Sequence, residues 1–205
     1  MHDSSTRSRT LIAIATIVVV LVVDQIIKIS VKTSMLLGQT IDVASWCKIH
    51  FVENKGMAFG MEFVGTLFLT VFRLAATVLF VALLVKAIRR RYPCGLIFCL
   101  ALIIAGAAGN IIDNCFYGLI FSESTPFSIA SFVPFGSGYG SFLAGRVVDM
   151  FYFPLFTWPD WMPIVGGNVF FGAIFNFADA AISCGGVAIV LCYYKTLFSG
   201  QQKTC

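Results

Sequence analysis

The chain has 205 residues, of which 59% are hydrophobic and 12% charged. Soluble domains carry about 25% charged residues, so composition excludes a soluble globular fold and points to an integral membrane protein, one membrane-embedded domain over residues 1–205. The net charge of +4 is too small and scattered for a nucleic-acid surface, and the seven cysteines form neither a Cys-x-x-Cys pair nor a Cys/His cluster, so no zinc site or disulfide framework is indicated.

Arg7 and Arg9 precede the apolar run "LIAIATIVVVLVV", which imitates a signal peptide. A small-x-small cleavage site is missing and "DQIIKIS" follows instead, so the run is predicted to stay as a first span over about 10–30. Residues 40–60, with "KIHFVENKGMAF", mix charge with β-prone residues and are expected to form a short sheet at the membrane surface. Further spans are expected over about 66–88, 95–112 and 170–194, each near the ~20 residues that cross a bilayer core. Segment 114–169 is rich in Phe, Gly, Ser and Pro. Its Trp158 and Trp161 suit an outer interface, where stretch 151–165 is expected to form a mobile lid. Arg7 and Arg9 flank the first span, Lys86 and Arg89–Arg91 fill the turn after the second, and Lys195 and Lys203 follow the fourth. The positive-inside rule then places both termini in the cytoplasm, opposed weakly by Lys28 and Lys32.

Polar groups gather at one depth. At 1.5 Å per helical residue, Asp24, Asn110, Asp113 and Asp179 all fall about 20–26 Å from the inner face, although their spans run in different directions. Asp149, in "GRVVDMFYF", lies outside the clear spans, within apolar sequence that can dip to the same level. Asn110 and Asp113 are i,i+3 on one helix face, and Asn176 and Asp179 repeat that spacing. Small residues around Gly106 and Gly109, and in "ADAAISCGG", allow close helix packing around these groups.

A charge at the bilayer centre costs roughly 2.5–3.5 kcal/mol on insertion scales, so each needs a reason. Asp24 and Lys28, at i,i+4, suit an orienting ion pair. Asn110 and Asp113 suit either interhelical hydrogen bonding or a site. Arg73, near the outer end of the second span, suits snorkelling. Asp179 has no cation at i±3 or i±4, Asp149 has only Arg146 at i−3 and lies outside the clear spans, and these two are the hardest to explain structurally. The two histidines, His2 in the tail and His50 in a predicted strand, offer no base for a serine or cysteine nucleophile. Paired carboxyls remain. One ionised carboxylate can activate water while a protonated partner polarises a carbonyl, which needs neither metal nor cofactor.

Five blocks in order, "DQIIK" at 24–28, "NKGMAF" at 54–59, "GAAGNIIDN" at 106–114, "VVDM" at 147–150 and "FNFAD" at 175–179, resemble the lipoprotein signal peptidases (signal peptidase II). The resemblance implies an all-α four-helix membrane bundle with a small extracytoplasmic β-cradle and an interfacial helix. It implies an aspartyl endopeptidase of the bacterial inner membrane, a monomer with membrane lipids and a diacylglyceryl-modified prolipoprotein as its partners, cleaving just before the lipidated cysteine. By motif, Asp149 and Asp179 match the catalytic dyad, while Asp24, Lys28, Asn54, Gly56, Asn110, Asp113 and Asn176 match supporting or substrate-binding positions. Two departures stand out: Asn114 replaces the family's usual arginine, and the connections 115–145 and 151–170 are long. Arg146, three residues before Asp149, is the first candidate to replace that cation, and Arg73 the second. The competing classes are a proton-coupled transporter, whose carboxylates would spread through the bilayer depth, a Gly-x-Gly-Asp intramembrane protease, whose signature is absent, and an assembly protein indifferent to its aspartates.

Overall fold

The computed structural model describes residues 2–54 and 62–199. In chain order the elements are α1 (His2–Ser34), β1 (Thr40–Ala44), β2 (Cys47–Asn54), α2 (Glu62–Arg89) and α3 (Cys94–Ile112). A π-helical turn (Asp113–Tyr117) follows, then α4 (Gly118–Ile120), β3 (Val147–Tyr152), β4 (Phe156–Thr157), β5 (Val169–Phe170), β6 (Ile174–Phe175), α5 (Phe177–Ala188), a second π turn (Ile189–Tyr193) and α6 (Tyr194–Ser199). Among the described residues, four helical stretches are long and apolar enough to span a membrane: Ser5–Ser34, Thr70–Arg89, Cys94–Ile120 and Phe177–Thr196. The fourth begins later than expected from hydropathy. Residues 170–176 are equally apolar but extended, because β6 pairs with β3 through Phe175 and Phe151.

The contacts divide the chain into two units, Met1–Ile26 with Leu67–Ile112 and Phe177–Cys205, and Ile27–Thr66 with Asp113–Asn176. In the helical unit, α3 is the inner element: 67% of its span is buried, against 17% or less in the others. Ala13 of α1, Leu84 and Ala87 of α2, and Leu96, Ile97, Leu100 and Ile104 of α3 form its main core, with Ile189 and Tyr193 packed against it. The exposed apolar residues of α1 and α2, such as Val19, Ile26, Phe72 and Val78, leave an oily exterior suited to lipid. The small residues of α3 and α5 let the two helices meet closely. A methyl group at Gly106 would lie 2.3 Å from the Ala178 carbonyl oxygen and 2.7 Å from Ile182 Cγ1. Gly106→Val is therefore expected to lower stability by about 1–3 kcal/mol, as over-packing does; thermal unfolding of the purified protein checks this.

The second unit carries a sheet in the order β1-β2-β3-β6. Its β1–β2, β2–β3 and β3–β6 pairs are all antiparallel. The expected sheet in 40–60 is present over 40–54; the remainder of that stretch lies outside the described residues. β3 is the central strand, and Val147, Val148, Asp149 and Met150 are all buried, so both of its faces are covered. Beneath it, Phe51, Tyr117, Phe121, Val148 and Met150 form an aromatic core with Val31 and Met35. Residues 121–176 hold strands, turns and loops but no helix, and 153–172 form the small aromatic hairpin β4–β5, with Phe156 stacked on Phe170 at 4.8 Å.

Candidate active site

The structure gives hydrogen-bond partners to most of the predicted polar residues. In the helical unit, Asn110 Nδ2 of α3 donates to Asp179 Oδ1 of α5 at 2.8 Å. Asp179 sits in the first turn of α5, where a carboxylate meets the positive end of the helix dipole. Asp24 Oδ1 of α1 accepts the Ala178 backbone N–H at 2.9 Å, so a carboxylate from another helix caps α5. Gly109 explains the approach: a methyl group there would lie 2.7 Å from Asp24 Oδ2. Gln25, which sequence reasoning passed over, donates to Asp24 Oδ2 at 3.1 Å.

In the strand-bearing unit, Asp149 lies opposite Val52 in the β2–β3 register and is only 4% exposed. Asn176 follows β6 directly. Its Nδ2 donates to Asp149 Oδ1 at 2.6 Å. The i,i+3 amides of the sequence thus serve different carboxylates, Asn110 holding Asp179 and Asn176 holding Asp149. An amide donor orients a carboxylate without bringing a charge to it.

Asp113 has a different environment. Its Oδ2 pairs with Lys28 Nζ at 2.8 Å, both side chains fully buried, and also accepts the Val148 N–H at 3.4 Å. The π turn therefore grips the backbone of the strand that carries Asp149. Asn114 strengthens the grip: its Nδ2 donates to the Gly145 carbonyl at 2.8 Å, and Gly145 N–H returns a bond to the Asn114 carbonyl at 2.9 Å. Gly145 must be glycine, since a methyl group there would lie 2.0 Å from the Asp113 carbonyl oxygen. Asn114→Ala removes one buried bond and leaves a carbonyl unsatisfied, an expected cost of about 1–3 kcal/mol. It should appear as a lower unfolding temperature together with reduced turnover.

Arg146 is engaged by carboxylates of its own unit. Its Nη1 lies 3.2 Å from Glu53 Oε2 and its Nη2 3.2 Å from Glu123 Oε1. Burial opposes its charge, but the bonds and attraction of Glu53 and Glu123 outweigh that and raise its pKa. Glu53 also pairs with Lys32, which in turn donates to Ser124 Oγ at 2.9 Å. Tyr139 stands beside this cluster. Arg146 N–H donates to its hydroxyl at 2.8 Å, and burial pushes its pKa up, so it stays protonated. Lys28 and Lys32, which ran against the positive-inside pattern, are both fully buried and neutralised by acidic partners. Sequence reasoning missed the Glu53 cluster because its members come from residues 32, 53, 123, 124, 139 and 146, with no local spacing to reveal them.

Asn54 is exposed at the end of β2, opposite Val147, and His50 of the same strand lies with its Nδ1 2.6 Å from Thr40 Oγ1. Arg73 is half-buried on α2, and Gly56 lies outside the described residues. Among the described residues no group of three or more His, Cys, Asp or Glu side chains is arranged to hold a metal ion.

Residues 16–195 match the family model described as signal peptidase (SPase) II. Two lipoprotein signal peptidases from strains of Porphyromonas gingivalis are each 53% identical over 188 residues, 89% of this chain and 83% of theirs. One from Amoebophilus asiaticus is 34% identical over 192 residues, covering 89% and 77%. Two solved bacterial membrane enzymes, determined by the in meso method at 2.3 and 1.9 Å, share the fold. The first has a TM-score of 0.58 at 22% identity and covers 94% of this chain and 93% of its own. The second has 0.59 at 24%, covering 89% and 92%.

Proposed function

This chain belongs to the signal peptidase II family, a family of proteases that process lipoproteins in the bacterial inner membrane, and we propose that it is an intramembrane aspartyl endopeptidase in which Asp149 and Asp179 form the dyad. The observation that carries this reading is the pair of amide-held carboxylates. Asp149 accepts from Asn176 at 2.6 Å and Asp179 from Asn110 at 2.8 Å, so each carboxylate is set in a fixed orientation by a buried amide.

In the proposed reaction one carboxylate of the dyad takes a proton from water. The resulting hydroxide attacks the scissile carbonyl carbon, whose oxygen is polarised by the protonated partner. The tetrahedral intermediate collapses as the C–N bond breaks, and the nitrogen of the departing cysteine takes up a proton. The bond cut is the one just before the diacylglyceryl-modified cysteine. Acyl chains seated in the bilayer hold that bond at a fixed depth and supply binding energy remote from the reacting atoms.

In this reading the four spans form a bundle in a monomer, both termini are cytoplasmic, and the dyad lies near the outer face. The sheet is the cradle. The β4–β5 hairpin, with Trp158 and Trp161, takes the interfacial place that the resemblance gives to a helix, and acts as the lid. Asp24, Asn110, Asn176, Asp113, Lys28 and Asn114 are positioning residues, and Asn54 and Gly56 meet the substrate. The substrate class is tested with purified protein in detergent. A diacylglycerylated prolipoprotein should lose its signal peptide while the same polypeptide without the lipid stays intact; equal cleavage of both would remove the lipid from the reading.

A further inference from the structure

Residues 124–145 contain no charged side chain. The segment follows the Cys94–Ile120 span and displays Phe127 at 93% and Phe135 at 74% exposure, with Phe132 and Phe142 also exposed. Such side chains sit poorly in water, and an uncharged run with protruding rings fits an apolar or interfacial surround.

The backbone shows where that surround lies. The loop folds back on the end of the helix it leaves: Val133 N–H donates to the Ile120 carbonyl at 2.9 Å, Gly136 N–H to Leu119 at 3.0 Å, and Gly140 N–H to Gly118 at 2.8 Å. Gly138 lies so close that a methyl group there would come within 2.2 Å of the Gly118 carbonyl oxygen. The loop is therefore fixed at the depth of the last helical turn. The 27 residues of that span measure about 40 Å at 1.5 Å each, longer than the ~30 Å hydrocarbon core, so its end stands in the headgroup region of one leaflet.

The rings are also braced. Phe132 packs on the buried Phe121 at 4.5 Å, and Phe142 meets Phe116 edge-on at 6.3 Å. Further bonds, Ser122 N–H to Ser131 at 2.9 Å and Thr125 N–H to Ser128 at 3.1 Å, fix the tip that carries Phe127.

We propose that loop 121–143 is a membrane-seated element whose Phe127 and Phe135 insert among the glycerol and upper acyl groups of the leaflet at the Ile120 end of the span. The occupant is the lipid bilayer itself. An uncharged loop with protruding rings, hydrogen-bonded to the end of a span longer than the hydrocarbon core, has the leaflet as its nearest apolar surround. Its seat would hold the second unit at a constant height relative to that leaflet.

The test replaces Phe127 by p-benzoylphenylalanine in the otherwise natural chain, reconstituted in phospholipid vesicles. Irradiation is expected to give an adduct heavier by one phospholipid, mapped to the 121–143 segment. A cross-linked dimer, or no lipid adduct, would overturn the proposal. A second measurement places Phe135→Trp in a background with Trp46→Phe, Trp158→Phe and Trp161→Phe, with an unchanged thermal midpoint and far-ultraviolet circular dichroism spectrum as the control for folding. Emission should be lost to lipids brominated near the glycerol and largely kept with aqueous iodide; the reverse pattern contradicts lipid seating.

Discussion

Asp149→Asn and Asp179→Asn are each expected to abolish prolipoprotein cleavage, lowering turnover by at least the ~10²–10⁴-fold that a general acid or base contributes. Asparagine keeps the shape of aspartate, and its carbonyl can still accept from the holding amide, Asn176 at position 149 and Asn110 at position 179. The local packing is thus nearly preserved while proton transfer is lost. If the two aspartates were only hydrogen-bonding glue, the same substitutions would leave turnover close to normal. Turnover is therefore measured beside the thermal midpoint, and the dyad requires a large fall in the first with a small change in the second.

Glu53→Gln is expected to have the largest effect on stability. Glu53 is buried and is shared by Lys32, which is fully buried, and by Arg146. Neutralising it leaves the buried Lys32 ammonium facing an amide, while Arg146 keeps Glu123. Breaking a buried pair by removing one partner typically costs about 3–5 kcal/mol, because the remaining charge stays uncompensated. Lys32→Met combined with Glu53→Gln should recover part of that loss, since an apolar replacement carries no desolvation penalty. Thermal unfolding of the two variants in the same detergent checks this; a double variant less stable than Glu53→Gln alone would contradict it. The Glu53 cluster also bears on Asp149, because Glu53 pairs with Val148 across the sheet and Arg146 immediately precedes β3.

Much of the helical unit was legible in the sequence because lipid imposes a simple rule: about 20 apolar residues, closed by basic ends. The rule fails at 170–176, where the composition suits a span but strand pairing with β3 decides the conformation. The i,i+3 spacing placed Asn110 with Asp113 and Asn176 with Asp179, each pair on one helix face. In the structure Asn176 reaches back to Asp149. Asn114 was legible as a departure from the family pattern but not in its consequence. Only the fold shows that its amide holds Gly145 and that Arg146 is held by Glu53 and Glu123.

The central claim, that two carboxylates cut the bond before a lipidated cysteine, is tested most directly by the mass of the product. Purified protein is incubated with a diacylglycerylated prolipoprotein in the presence of a strong chelator, and the large product is weighed. The account predicts a lipoprotein that begins at the lipidated cysteine, formed as fast with chelator as without. A product beginning at any other residue, or a reaction that the chelator stops, would contradict it.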